Sequence, residues 1–229
     1  MKFRDISRKL RAPINRRDAL SRLKSFHSKN RSTDEIIDMA MDFGSKGLYR
    51  VDSVQKRSEI LSLANAVADI KPKTILEIGT CNGGTLFIWS NIASDLVITC
   101  DLNKSKVREE LYSQFPPGNS DCKVISLEGD SHKQSFAEKV KQTLNGREVD
   151  FLFIDGDHTE PGVRQDYEMY SPLVRKGGLI AFHDILEKQP TPQNQVYYFW
   201  KDIKQKTVTE EFVNDYDQTG FGIGIIRVE

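Results

Sequence analysis

From residue 74 onward, short apolar runs alternate with helical stripes. TILEIG (74–79), LVITCD (96–101), KVISLEGD (123–130), FLFID (151–155) and LIAFHD (179–184) read as strands. Apolar residues recur at helical spacing over 84–93, about 104–114, 133–144 and 161–175. The last of these helices is marked at both ends. Pro161 suits its first turn, Val163, Tyr167, Tyr170 and Leu173 form an inner face, and Arg175 and Lys176 precede Gly177 and Gly178. Upstream, STDEIIDMAMDF opens with Ser32 and Glu35 in capping-box spacing and ends at Gly44. SVQKRSEILSLANAVADIKP predicts a second amphipathic helix, closed before Pro72. The tail departs from this alternation. FWKDIKQ predicts a short helix, and EEFVNDYDQTGFGIGIIRV predicts two strands joined by a turn.

Alternating strands and helices imply right-handed βαβ units and a mostly parallel sheet covered on both faces. Ligands of such sheets bind outside the carboxyl ends of the strands. The predicted strands end in Glu77 and Gly79, Asp101, Asp130, Asp155 to His158, and His183 with Asp184. Any one of these acids also suits a helix cap. Five strands in succession delivering polar groups to one edge point to a site.

The 229 residues suffice for one sizeable domain, and 38% hydrophobic with 29% charged residues is ordinary for a globular protein. No run approaches the roughly 20 apolar residues of a membrane span, and the first 30 residues lack the apolar region of a secretory leader. Three unclustered cysteines, Cys81, Cys100 and Cys122, fit a reducing cytoplasm. The formal charge is zero but uneven. Residues 1–32 carry eleven Lys or Arg against two Asp, a net of +9 balanced by −9 on the rest. This divides the chain into a basic arm and helical extension over 1–48 and a main domain over 49–229. The arm packs on its own body or pairs subunits in a homo-oligomer, or else it meets nucleic acid or anionic lipid. It lacks the interleaved aromatics of a base-stacking surface.

ILEIGTCNGGTLFIW is a strand, a glycine-containing turn and a helix. Gly79 permits a tight turn, and Gly83 with Gly84 lets a ligand approach the backbone. A dinucleotide loop requires G-x-G-x-x-G, and Cys81 occupies its second glycine position. Glu77 instead suits a ligand with a positive amino group. Asp101, about 20 residues on, can accept ribose hydroxyls, and Asp130 is placed for an adenine amino group. Glu77, Gly79 and Gly83 followed by Asp101 resemble the class I S-adenosylmethionine-dependent methyltransferases, over about residues 50–229. The resemblance implies a Rossmann-like methyltransferase fold of the α/β class, a mostly parallel seven-stranded sheet with a C-terminal antiparallel hairpin. It implies that Glu77, Gly79, Thr80 and Gly83 hold the methionine part of S-adenosyl-L-methionine, Asp101 and Leu102 the ribose, and Asp130 and Ser131 the adenine, with Asp155 also at the cofactor.

IDGDH followed by GGLIAFHD resembles a narrower group, the metal-dependent O-methyltransferases of the catechol type and the cephalosporin hydroxylase-like set. The resemblance implies a divalent ion, magnesium or manganese, on Asp155, His183 and Asp184. It places His158 where the group has its catalytic lysine, so His158 is the expected general base, acting with Asp155. Histidine at both positions departs from the group's pattern, yet a divalent ion accepts imidazole as well as carboxylate, and imidazole titrates near neutrality. The implied reaction is O-methylation of a small-molecule hydroxyl, on a sugar or other natural product. Two rivals use the same residues. His158, His183 and a carboxylate are the ligand type of a non-haem iron oxygenase, and the basic arm suits an RNA-directed or non-catalytic donor-binding protein. No N-P-P-Y-like tetrapeptide of base methylation follows the fourth strand. ILEKQPTPQNQVYYFW predicts a loop over the pocket, with Asn194, Gln195, Tyr197 and Trp200 as candidate substrate contacts.

Overall fold

The computed structural model describes residues 3–44, 47–103 and 106–229. Side chains of the basic arm are described only from Ala12, so much of its charge lies outside the described residues. The arm forms helix α1 (Phe3–Phe26), followed by α2 (Thr33–Met41) and α3 (Arg57–Asp69). Ala19, Leu23 and Phe26 bury one stripe of α1 in the chain's own core, so the arm packs on its own body over that stretch. The Ser32–Glu35 capping box is present at the start of α2.

Strands and helices then alternate: β1 (Thr74–Ile78), α4 (Gly84–Ile92), β2 (Leu96–Asp101), α5 (Lys106–Tyr112), β3 (Lys123–Glu128), α6 (Gln134–Leu144), β4 (Val149–Ile154), α7 (Glu160–Tyr170) and β5 (Val174–His183). Residues 104 and 105, expected to open α5, lie outside the described residues. The chain ends with α8 (Val196–Ile203), β6 (Thr209–Phe212) and β7 (Ile223–Arg227). The sheet order is β3-β2-β1-β4-β5-β7-β6, parallel through β5, with β7 antiparallel between β5 and β6.

Alternation along each strand assigns side chains to two cores. Phe151 and Phe153 face α1–α5, where Phe87 and Trp89 of α4 are fully buried. Leu152 and Ile154 face α6, α7 and α8, with Phe136, Tyr170, Phe199 and Trp200. Coverage on both faces accounts for β4 being apolar throughout except Asp150.

Two expectations are corrected. Arg175–Gly178 does not close a helix. A short 3-10 turn (Ser171–Leu173) ends α7, and β5 starts at Val174. The pairing with β4 shifts register between Val149 and Phe151, Arg175 Nε donates to Asp150 at 2.5 Å, and Val228 N donates to Gly178 O at 3.0 Å. The ion pair and the strand pairing together outweigh the helix-stop signal of the two glycines. The loop expected up to residue 200 stops at Gln195, because Val196, Phe199, Trp200 and Ile203 give α8 a buried face. Trp200 is core, with Nε1 donating to Glu211 at 2.6 Å, and is not a substrate contact.

Gly84, at the start of α4, is a point of close approach. A Cβ there would lie 2.3–2.5 Å from backbone atoms of Asp52 and Ser53. Gly84→Ala is expected to destabilise by about 1–3 kcal/mol, the usual cost of overpacking, lowering Tm by several degrees for a domain of this size. Gly118→Ala, with nothing within 4 Å of its Cβ, should leave Tm within about a degree. Thermal unfolding of the two variants checks the contrast.

Candidate active site

The tip of β4 is stitched to β1 by Asp155 N donating to Ile78 O at 2.9 Å. Gly79 makes this approach possible. Its φ is +99°, and a Cβ would lie 2.1 Å from the Asp155 carbonyl oxygen. The Asp155 carboxylate thereby stands at the centre of a polar cluster. Its Oδ1 lies 3.2 Å from His158 Nε2 and 3.2 Å from His183 Nδ1. Its Oδ2 accepts from Gln55 Nε2 at 3.0 Å. Asp184 completes the group: Oδ1 accepts from Phe221 N at 3.0 Å, and Oδ2 accepts from Asn194 Nδ2 at 2.5 Å and lies 3.4 Å from His158 Nδ1.

Burial alone would raise the Asp155 pKa, but His183 and His158 together hold it well below the usual carboxylate range. The hydrogen bond to Asp155 raises the pKa of His158. Burial acts to lower that of His183, yet Asp155 turns the balance and raises it. The imidazoles differ in access: the His158 side chain is 40% exposed and that of His183 6%.

One ligand atom each from Asp155, His158 and Asp184 lies within 4.8 Å of the others. The trio expected from sequence had His183 in place of His158. His183 is in the same cluster, with Nδ1 3.5 Å from Asp184 Oδ1, and its Nε2 is buried without a partner. Converging carboxylate and imidazole donors, partly shielded from water, fit a divalent ion such as magnesium or manganese.

The cluster opens on a cleft of about 920 Å³ that runs along the strand tips. Gly79, Thr80, Asp101, Leu102, Asp130, Ser131, Asp155, His158, His183 and Asp184 line it. Asp101 clasps two loops: Oδ2 accepts from Cys81 N at 2.9 Å and Oδ1 from Asn103 N at 3.1 Å. Thr80 Oγ1 is 2.5 Å from Thr99 Oγ1.

Glu77 and Gly83 are not on the cleft wall. The Glu77 side chain is fully buried one layer beneath, accepting from Trp89 Nε1 at 3.1 Å and Thr99 Oγ1 at 2.6 Å, and its burial pushes the pKa up to about 7. From this position Glu77 braces α4 and β2 beneath the cleft wall. Gly83 caps α4 with φ +78° where the Tyr112 ring occupies the space of a Cβ, and Gly84, which lines the cleft, packs closely against the backbone of Asp52 and Ser53.

Four contributors were missed. Gln55 precedes α3 in a stretch that reads as a plain helix start, and nothing in sequence signals that its amide reaches Asp155. Arg108 braces the first loop, donating to Cys81 O at 2.6 Å and Asn82 Oδ1 at 2.7 Å. Asp52 and Ser53 line the cleft with Oδ1 and Oγ buried and unpartnered. Of the predicted loop contacts, Asn194 reaches the cluster, while Gln195 holds the DGDH turn by donating from its N to His158 O at 2.7 Å.

The strand order with its reversed β7, and a cleft across the tips of the parallel strands, define a protein of the class I methyltransferase fold. Solved structures share it. The O-methyltransferase from Bacillus cereus in complex with SAH is 20% identical, over 87% of this chain and 93% of that one, with a TM-score of 0.55. TomG from Streptomyces achromogenes, in complex with SAM, is 15% identical over 88% and 92%, with a TM-score of 0.58. MycE, a methyltransferase of the mycinamycin biosynthetic pathway in complex with Mg, SAH and mycinamycin VI, is 17% identical over 72% and 48%, with a TM-score of 0.53. At these identities the likeness is one of fold.

Residues 48–223 match the rhamnosyl O-methyltransferase/CmcI family, and the chain belongs to that family. A curated relative, uncharacterized protein R132 of Acanthamoeba polyphaga mimivirus, is 29% identical over 131 residues. That match takes in 52% of this chain and spans about half, 55%, of the relative's length.

Glu77 yields a test by its titration. Its ordinary value is 4.5, and the folded value is about 7. Between these the native state keeps a proton that the unfolded chain has released. The stability this contributes is full below pH 4.5 and is lost as pH rises through about 7, on the order of 3 kcal/mol in all. Glu77→Gln, which mimics the protonated form, is expected to flatten the stability profile over that range. Urea unfolding at pH 5 and pH 8 measures it; an unchanged difference between the two would contradict the assignment.

Proposed function

We propose that the protein transfers a methyl group from S-adenosyl-L-methionine to a hydroxyl oxygen of a small molecule, on a sugar or other polyhydroxylated natural product, with the aid of a divalent ion. The observation that carries this reading is the convergence of Asp155, His158, His183 and Asp184 at one end of a cleft whose other end carries Asp101 and Asp130. Family membership supports the chemistry.

A divalent ion held by Asp155, Asp184 and His183 would lower the proton affinity of the acceptor hydroxyl, and S-adenosyl-L-methionine would supply the electrophilic methyl group. The chain's own residues do the rest. Asp155 and Asp184 would be the carboxylate ligands. His183, almost wholly buried, is suited to be a third, since a buried imidazole has no ready proton exchange with water. His158, open to solvent, takes the acceptor proton at Nδ1 or Nε2 and releases it. Gln55 donates to Asp155 Oδ2, and Val54 and Phe221 contribute apolar wall to the cleft. Asp101, fixed by two backbone N–H groups, offers its remaining lone pairs to ribose hydroxyls. The two imidazoles flanking Asp155 also compose the ligand set of an iron oxygenase, but that reading leaves Asp101 and the donor end of the cleft without a role.

Calorimetry with S-adenosylhomocysteine tests the donor. Affinity in the micromolar range is expected, about −8 kcal/mol, unchanged by chelator and weakened about 10–100-fold in Asp101→Ala. Binding of NADH in its place would overturn the reading. Turnover tests the other end. His158→Gln is expected to lose about 10²–10⁴ in kcat while S-adenosylhomocysteine still binds, and chelator should abolish transfer in the wild type. Full transfer in excess chelator would leave the cluster as acid–base machinery alone.

A further inference from the structure

Asp166, on α7, is fully buried, and neither carboxylate oxygen completes a well-formed hydrogen bond. Its polar neighbours are the Ser131 side chain and His132, whose Nε2 lies 3.4 Å from Asp166 Oδ1 and has no other partner. Burial pushes the Asp166 pKa up, against the opposing pull of Ser131 and His132. A carboxylate held at this depth by so few contacts is costly and has no part in the methyl-transfer chemistry.

The same face of α7 grips the loop after β3. Tyr170 Oη donates to Ser131 O at 2.7 Å, and Gln165 Nε2 donates to His132 O at 2.9 Å. The loop itself lines the cleft through Gly129, Asp130, Ser131 and His132. In the sheet, β3 stands three strand spacings from β4, roughly 14 Å. That is the reach of a nucleoside joined to an amino acid, so the loop meets the base when the reacting end sits at Asp155.

We propose that Asp166 is a positioning residue that fixes the tautomer of His132, making His132 Nδ1 an acceptor for the exocyclic amino group of the donor's adenine, and so selects a 6-amino over a 6-oxo purine. The inference rests on the methyl-donor reading and deepens it. With a carboxylate beside Nε2, the neutral ring carries its proton on Nε2, and Nδ1 offers its lone pair. Nδ1 lies 4.0 Å from Asp130 Oδ1, which already accepts His132 N at 3.0 Å. Two acceptors side by side match the two N–H bonds of an amino group and repel a carbonyl oxygen. A neutral amide at 166 can instead donate to Nε2, moving the ring proton to Nδ1 and turning the acceptor into a donor.

The experiment is calorimetry with S-adenosylhomocysteine and its deaminated 6-oxo counterpart, S-inosylhomocysteine, on the full chain. Wild type should prefer the adenosyl form by about 100-fold, two hydrogen-bond contacts at about tenfold each. In Asp166→Asn the preference should fall at least about tenfold, largely through tighter binding of the inosyl form, an effect that loosened packing does not produce. His132→Phe, on the partly exposed loop, should lower the preference similarly without disturbing the buried carboxylate, and it carries the test if Asp166→Asn does not fold. Wild type that binds S-adenosylhomocysteine beside variants that keep the full preference would overturn the tautomer assignment and leave the methyl-donor reading standing. Wild type that binds neither compound would overturn both.

Discussion

A single carboxylate, that of Asp155, receives two imidazoles and a carboxamide at the end of the central strand. Placing a carboxylate among apolar strands costs free energy unless charge and hydrogen bonds offset it. Here the partners come from three separate parts of the chain: His158 from its own turn, His183 from β5, and Gln55 from the segment before α3. Each is drawn to the same few ångströms, and the cleft takes its shape from that convergence. Gly79 is tied to the same point, since only a residue without Cβ lets β1 close against the Asp155 carbonyl.

The roof over this cluster is built in the same way. Glu59, a buried carboxylate of α3, accepts from Asn214 N at 3.0 Å, Gln218 Nε2 at 2.7 Å and Gly222 N at 2.9 Å. Lys56 adds a hydrogen bond to Gln218 and stands over the Phe221 ring. Asp184 holds Phe221 N from below. The reversed strand β7 therefore does more than complete the sheet. It returns the chain to the strand tips, where the β6–β7 loop and the segment at 52–56 close over the reacting end as one bonded unit.

Apolar runs and their polar ends made the strands and most of the cleft legible in sequence, because a strand covered on both faces admits polar residues only where it emerges. FLFID ending in Asp155 and LIAFHD ending in His183 and Asp184 carry that logic directly. What escaped depends on contacts between distant segments. Glu77 reads like a wall residue but turns beneath the wall toward Trp89 and Thr99. Gly83 and Gly84 read like a ligand loop, and Gly84 does line the cleft, but a Cβ at Gly83 would meet Tyr112 and one at Gly84 the backbone at 52–53. Gln55 has no local pattern at all, and Arg175–Gly178 carries a stop signal that an ion pair and strand pairing override. Asp166 sat inside a correctly predicted helix, where nothing local distinguishes a buried acid from an exposed one.

The most direct test is the number of divalent ions that Asp155 commands. Titration of the purified, metal-stripped chain with manganese(II), followed by the electron paramagnetic resonance of the free ion, counts them without any need for the acceptor. One site per chain in the wild type, lost in Asp155→Asn while S-adenosylhomocysteine still binds, is the predicted result. A wild type that binds no ion, or an Asp155→Asn variant that keeps its site, would contradict it.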